Sequence, residues 1–170
     1  AARASEAGAK VIMRDDPQKR GKGYALELAF DHILKESDAD AVVVVDADTT
    51  VSVNLLREFA ARLALGAKAV QAEYGVQNPE ASWRTRLLTV ALAMFHRTRS
   101  LAREHWGVST GLRGNGMCFS RELLLEHPHR AYGLVEDVEY GVQLGPANER
   151  VAYAANAFVF GSASMPNRSM

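Results

Sequence analysis

Val42-Val43-Val44-Val45-Asp46-Ala47-Asp48 is the stretch that decides the fold. Four β-branched residues in a row predict a buried strand, and two carboxylates stand where that strand would end. In an extended chain, residues i and i+2 point to the same side, so Asp46 and Asp48 can converge on one cation or one polar ligand. Ligands collect at the carboxyl ends of strands in open α/β sheets. A strand that stops at an acidic turn explains the same residues, so both interpretations stay open.

Strands and helices alternate around this stretch. Periodicity and helix-ending residues predict strands at 11–13, 69–74 and 151–155, and helices at 23–36, 54–65, 121–126 and 135–144. This alternation is typical of the α/β class, with a mainly parallel sheet covered by helices on both faces. We expect one domain over residues 1–170.

The composition excludes several classes of protein. With 170 residues, 48% of them hydrophobic, the chain can bury one sizeable core. The 20 basic and 20 acidic side chains cancel, which argues against a dedicated nucleic-acid-binding protein. A single cysteine, Cys118, excludes an internal disulfide framework and favours a reducing compartment, so we expect a cytoplasmic location. No apolar run approaches the roughly 18–20 residues of a membrane-spanning helix.

Residues 82–106 interrupt the alternation with one long helical stretch. An apolar run at 87–95 is flanked by arginines and by Trp83 and Trp106, and Glu104 is the only acidic residue. This pattern is typical of a helix that lies on a membrane surface or against another helix. A buried helix with solvated ends is the alternative.

Three further motifs carry groups that can do chemistry. The loop 14–23 places Lys22 at a helix start, where backbone amides favour anions. Gly114-Asn115-Gly116 permits either a tight turn or a close approach to a substrate. Glu136 and Asp137 open a helix, where acids offset the helix dipole, and a carboxylate there can also act as a general base. His127 and His129 offer too few ligands for a metal, so we expect both on the surface.

Taken in order, these motifs resemble those of the family 2 glycosyltransferases. The matching residues are Lys22-Gly23-Tyr24-Ala25-Leu26, Asp46-Ala47-Asp48, Gly114-Asn115-Gly116-Met117 and Val135-Glu136-Asp137. The resemblance covers nearly the whole chain and is strongest to the bacterial cellulose-synthase-like and N-acetylglucosaminyltransferase-like members. It implies a GT-A fold, a Rossmann-like three-layer sandwich that here lacks its first strands.

The resemblance also implies a role for each motif. Asp46 would contact a nucleotide-sugar donor, expected to be a UDP-sugar, and Asp48 would ligate Mg²⁺ or Mn²⁺ on its diphosphate. Lys22 would lie near the phosphates, and Glu136 would help to bind substrate. Residues 114–117, with Gly114, Asn115 and Gly116, would border the sugar and a glycan or lipid-linked acceptor. Asp137 would deprotonate the acceptor hydroxyl, and in-line attack would invert the anomeric centre.

Some family motifs are not in this sequence. The two strands that open the family's fold, which end in Tyr/His-Asn-Glu and in Asp-Asp, are not found in residues 1–170, and neither is the Gln-x-x-Arg-Trp motif. Val135 stands where synthases often have threonine. We therefore expect an internal fragment, truncated at both ends, that is inactive alone. The parent enzyme would work in polysaccharide or glycoconjugate synthesis, at the cytoplasmic face of a membrane if residues 82–106 contact lipid.

Two other functions fit part of the pattern. In a haloacid-dehalogenase-like phosphohydrolase, Asp46 would attack phosphorus and Asp48 would act as acid and base. That class needs a downstream lysine and a later acidic cluster at a strand end, and Lys68 is the only lysine after Asp48. A non-catalytic remnant of a glycosyltransferase is the second alternative.

Overall fold

The computed structural model describes residues 2–161 and contains one five-stranded sheet. The strands are β1 (Ala41–Val44), β2 (Thr49–Val51), β3 (Ala69–Val76), β4 (Met117–Ser120) and β5 (Val151–Gly161). The helices are α1 (Ala2–Glu6), α2 (Lys22–Glu36), α3 (Leu55–Ala64), α4 (Trp83–Leu92), α5 (Arg99–His105), α6 (Arg121–Glu126) and α7 (Glu136–Leu144). A π-helical segment, Ala93–Thr98, joins α4 to α5, and a short 3₁₀ helix, Pro79–Ala81, precedes α4.

The predicted α/β class is confirmed, but the prediction of a mainly parallel sheet is wrong for the described strands. The strand order is β1-β4-β3-β5-β2. Only β3 and β5 pair in parallel, whereas β1–β4, β3–β4 and β2–β5 are antiparallel. β4 lies between β1 and β3, so β1, β3 and β5 share a direction, as the alternation predicted. β2 and β4 run in the opposite direction. Local periodicity does not encode the direction in which a strand runs.

Helices cover both faces of the sheet. On one face Phe30 of α2 and Tyr140 of α7 pack against Phe119 of β4. On the other face Leu55 and Phe59 of α3 belong to a second buried cluster. Neighbouring residues of β4 alternate between the faces, because successive side chains of a strand point in opposite directions. The result is a three-layer arrangement of helices, sheet and helices.

The four-valine strand is shorter than predicted and lies at an edge. β1 ends at Val44, and Val42 and Val44 are buried on the α2 side. Val45 is exposed. The strand predicted at 11–13 is wrong, since these residues are irregular and exposed. A short β-branched run does not form a strand unless its backbone groups find a partner strand.

The long helical stretch forms as predicted, but it is not buried. Only Thr85 and Ser100 are buried over α4, the π-helical segment and α5. The apolar side chains of Trp83, Phe95 and Trp106 are 69%, 65% and 75% exposed. The alternative of a buried helix with solvated ends is therefore wrong. Within residues 2–161, every helix is too short or too polar to cross a bilayer.

His129 is buried, which corrects the prediction that it lies on the surface. Its ring lies against Phe30 and Tyr140, and its Nδ1 atom has no hydrogen-bond partner among the described residues. Burial lowers the pKa of His129 below the ordinary value of 6.5, although Glu27 and Glu139 act in the opposite direction. His129 is therefore held in its neutral form in the core.

This burial predicts a loss of stability in acid. A lowered pKa means that the unfolded chain binds the proton more readily, so stability falls as pH drops through the ordinary histidine value of 6.5. His129→Leu in the intact protein should flatten this dependence between about pH 7 and pH 5. Urea unfolding at several pH values measures it. An unchanged slope in the variant would assign the acid sensitivity to other groups.

Candidate active site

A tight turn follows β1 and carries the two predicted aspartates. The Thr49 N–H donates to the Asp46 carbonyl at 3.1 Å, so residues 46–49 turn instead of continuing the strand. Asp46 and Asp48 are therefore not placed on one side by strand alternation, because alternation requires an extended chain. Asp46 lines a cavity and Asp48 is exposed outside that lining.

Lys22, the first residue of α2, links this turn to the glycine-containing loop. Its Nζ donates to Asp46 Oδ1 and, at 2.5 Å, to the Gly114 carbonyl. The Lys22 and Asp46 side chains are 35% and 39% exposed, so both remain accessible from the cavity. The structure thus joins three of the sequence-predicted positions, which lie 24 and 92 residues apart along the chain.

Asn115 holds the turn in place. Its Oδ1 accepts the Asp46 N–H at 3.1 Å, and its Nδ2 donates to Thr49 Oγ1 at 2.8 Å. The Asn115 side chain is buried and does not line the cavity, so its contacts position the turn.

Gly114 and Gly116 have φ values of 75° and 66°, a left-handed conformation that favours glycine. These two glycines allow the loop to pass between β1 and β3, where the Gly116 N–H donates to Val44 and the Gly116 carbonyl accepts from Ala72.

Gln71 of β3 is a site residue that the sequence analysis missed. It is fully buried, and its Nε2 donates to the carbonyls of Asn115 and Gly116 at 2.8 and 3.2 Å. Its Oε1 accepts the Arg113 N–H at 2.9 Å. A glutamine inside the apolar strand 69–76 was the available signal, because a buried amide needs hydrogen-bond partners.

Gln71→Leu should destabilise the protein by about 3 kcal/mol. The leucine fits the strand but leaves the Arg113 N–H and the Asn115 carbonyl without their Gln71 partner, at about 1–3 kcal/mol for each unsatisfied buried group. Gln77→Leu is the matched control, because Gln77 is exposed just beyond β3. Chemical denaturation of both variants measures the difference. Equal stabilities would show that the loop does not depend on Gln71.

Two cavities meet beside this loop. The first, here called the lysine cavity, has a volume of about 630 Å³ and is lined by residues including Lys22, Asp46, Gly114 and Glu136. The second, here called the arginine cavity, has a volume of about 680 Å³ and lies between the π-helical segment, α5, residues 109–113 and α7. Asp137 and Arg113 line both cavities. A Cβ built on Gly114 would lie 3.4 Å from Asp137 Oδ2, so this carboxylate stands directly against the loop.

The family of the chain follows from its sequence as a whole. Residues 1–163 match the family model described as Glycosyltransferase like family 2. The chain belongs to this family. A comparison with curated proteins finds no match. Membership implies the GT-A fold, glycosyltransferase activity in general, a nucleotide-sugar donor and an acceptor, and it disfavours the phosphohydrolase alternative.

The family typically uses a divalent metal, and Asp48 has suitable chemistry to help hold one. Mg²⁺ takes oxygen ligands, often one or two carboxylates together with substrate phosphates and water. Asp48 is an exposed carboxylate in the turn that also carries Asp46. The carboxylate of Asp48 would therefore suit such an ion, whose remaining ligands would come from the donor diphosphate and water.

A second acidic group lies elsewhere on this glycosyltransferase. Glu126, His127 and Glu149 bring three ligand atoms within 4.8 Å of one another. Lys68 Nζ already lies 2.9 Å from the carboxylates of Glu126 and Glu149, and these contacts help to raise the Lys68 pKa. The Lys68 ammonium group already pairs with both carboxylates, so we assign no metal to this cluster.

Arg113 stands at the boundary of the two cavities. Its Nη2 donates to Ser100 Oγ and, at 3.4 Å, to the His96 carbonyl, and its guanidinium lies 5.7 Å from the Tyr153 ring centre. Burial lowers the Arg113 pKa, while Glu73 raises it. Its Nη1 atom is buried without a partner among the described residues. Arg113 was not predicted from the sequence either, although it directly precedes Gly114.

Proposed function

We propose that the chain transfers a sugar, with inversion, from a nucleotide-diphosphate-sugar to an acceptor hydroxyl. The observation that carries the proposal is the position of Asp137, which lines both cavities. Glu136 lines only the lysine cavity. A general base must reach the acceptor while the acceptor faces the donor, and a carboxylate at the junction satisfies both conditions.

The lysine cavity is assigned to the donor. Lys22 supplies a positive charge, and Asp46, Gly114 and Glu136 supply oxygen atoms for hydrogen bonds from a nucleotide-sugar. Asp48 would hold Mg²⁺ or Mn²⁺ against the diphosphate, and the ion would neutralise charge on the leaving group. Gly116 and Asn115 would act through the loop that they shape.

The reaction balances with the residues named. The acceptor oxygen bonds to the anomeric carbon while the bond from that carbon to the diphosphate oxygen breaks. Asp137 takes the hydroxyl proton, and the electron pair of the broken bond leaves with the nucleoside diphosphate. Attack opposite the leaving group inverts the anomeric centre.

Binding and transfer should be measured separately on the intact protein that carries these residues. We expect UDP to bind only weakly without Mn²⁺ or Mg²⁺, and labelled UDP-sugars to yield a transfer product. Asp46→Asn should weaken UDP binding, whereas Asp31→Asn, exposed on α2, should not. Metal-dependent UDP binding without transfer would favour the non-catalytic remnant, and phosphate release from phosphomonoesters would favour the phosphohydrolase.

Within the family, we place the chain nearest the bacterial cellulose-synthase-like and N-acetylglucosaminyltransferase-like branch. The support is the order of the Lys22, Asp46-Ala47-Asp48, Gly114–Met117 and Glu136-Asp137 motifs. The expected products are therefore polysaccharides or glycoconjugates, with a glycan or a lipid-linked acceptor.

We also propose that residues 82–106 contact a membrane surface at its cytoplasmic face. Exposed apolar side chains on α4 and the π-helical segment include Leu87, Met94 and Phe95. Arginines flank this apolar surface, and Arg84 lies 5.4 Å from the Trp83 ring centre. Apolar side chains beside arginine and tryptophan suit the interface of an anionic bilayer.

Leu87→Glu should lower binding to phosphatidylglycerol vesicles about tenfold, because burial of one leucine contributes about 1.5–3 kcal/mol. Leu65→Glu is the matched control, since Leu65 is exposed at the end of α3. Cosedimentation at low salt measures both. No binding of the unsubstituted protein would overturn the proposal.

A further inference from the structure

The arginine cavity combines positive charge with an apolar wall. Arg99, Arg103 and Arg113 line it, and Asp137 is its one acidic lining residue. The four aliphatic residues Leu92, Leu112, Val138 and Val142 form much of the remaining surface. Such a cavity suits a ligand that carries both an anionic group and an apolar part.

The three guanidinium groups have no carboxylate in direct contact among the described residues, since none of them takes part in an ion pair within 4.0 Å there. Arg103 donates to the Ser109 carbonyl at 3.2 Å, and Arg99 lies over the Phe95 ring. Arg113 retains a buried Nη1 without a partner. Guanidinium groups without acidic partners favour phosphate or carboxylate ligands.

Two further titratable groups lie near this positive charge. Burial, Arg113 and Arg99 lower the pKa of His96, so its imidazole is neutral at pH 7 and offers a hydrogen bond. Glu73 accepts a hydrogen bond from Tyr153, and burial raises its pKa while Arg113 and Arg97 lower it. Arg99 and Arg103 make the α5 side of the lining positive, and Val138, Gly141 and Val142 of α7 add an apolar surface beside Asp137.

We infer that the acceptor is an anionic amphiphile, with a phosphate or carboxylate group near Arg99, Arg103 and Arg113. This inference rests on the proposed function, because it takes the arginine cavity as the acceptor side of Asp137. The apolar part of the acceptor lies along Val138 and Val142 and leaves the cavity towards residues 82–106. Its hydroxyl group faces Asp137, which also lines the donor side.

Dodecyl phosphate, dodecyl maltoside and inorganic phosphate separate the contributions of charge and tail. Calorimetry below the micellar concentrations, on the intact protein, should show dodecyl phosphate binding at least tenfold more tightly than either other probe. Arg99→Gln should weaken it about tenfold, as expected for one hydrogen bond to a charged group, and Arg99→Lys should weaken it less. Val142→Glu adds a negative charge to an exposed position of the cavity wall, so dodecyl phosphate should no longer bind more tightly than dodecyl maltoside.

Matched controls exclude binding elsewhere. Arg57→Gln on the exposed side of α3 and Leu65→Glu at the end of α3 lie outside the cavity and should leave dodecyl phosphate binding unchanged. Equal binding of dodecyl maltoside would overturn the anionic group, and equal binding of inorganic phosphate would overturn the apolar part. UDP binding to the unsubstituted protein is measured in parallel. Absence of UDP binding would contradict the proposed donor site. UDP binding without tighter binding of dodecyl phosphate would contradict this inference alone.

Discussion

Asp137→Asn is expected to reduce sugar transfer by about 10²–10⁴-fold, the range usually contributed by a positioned general base. Asparagine occupies nearly the same volume but cannot accept the hydroxyl proton. UDP affinity should change less than threefold, because Lys22 and Asp46 are untouched. Single-turnover transfer and equilibrium UDP binding, measured on the intact protein, separate the two effects.

Glu136 provides the strongest test of this assignment. Glu136 is buried at the start of α7 and lines the lysine cavity but not the arginine cavity. Glu136→Gln should therefore weaken donor binding more than it slows the chemical step. Asp31→Asn should leave both measurements unchanged. Transfer by Asp137→Asn within tenfold of the unsubstituted enzyme would show that another group takes the proton.

Gly23→Ala should destabilise the protein by about 2–3 kcal/mol, the upper part of the range for overpacking a core. A Cβ at Gly23 would overlap the Ala131 carbonyl oxygen and lie 3.2 Å from the Tyr132 Cα atom. Both obstacles are backbone, so α2 itself must move. Lys22 is the preceding residue, and we therefore expect weaker UDP binding together with the loss of stability.

Gly141→Ala is the matched control in α7. Its Cβ would meet nothing closer than the Leu112 nitrogen at 3.6 Å, an ordinary contact. Alanine has a higher helix propensity than glycine, so Gly141→Ala should stabilise the protein by up to about 1 kcal/mol. Urea unfolding of both variants should give shifts of opposite sign. Stabilisation by Gly23→Ala would show that α2 is free to move away from residues 131–132.

Much of the local structure could be predicted from the sequence. The helices at 22–36, 55–64 and 136–144 lie close to their predicted bounds, and so do the strands that begin at 69 and 151. Apolar periodicity and helix-ending residues are local signals. They predict these helices and strands correctly because the apolar face of each one packs into a buried cluster. The prediction of a strand at 11–13 was wrong because a strand needs a partner strand for its backbone groups, and no local signal indicates one.

The candidate site was predicted in part. The sequence indicated Lys22, Asp46, Gly114 and Asp137, and the tertiary structure brings these four residues to the lysine cavity. Gln71 and Arg113 were not predicted, because their roles depend on contacts with residues about 40 positions away or on a cavity formed by several elements.

The sequence by itself determined the element types, the motif order and membership of glycosyltransferase family 2. These properties follow from residue spacing and local propensity, which are present in the linear chain. Only the tertiary structure decided that Asp46 and Asp48 lie in a turn, that β4 runs against its neighbours and that Asp137 borders two cavities. These features arise from long-range hydrogen bonds and packing, so the carboxylates that follow the four valines acquire their positions from Asn115 and Lys22.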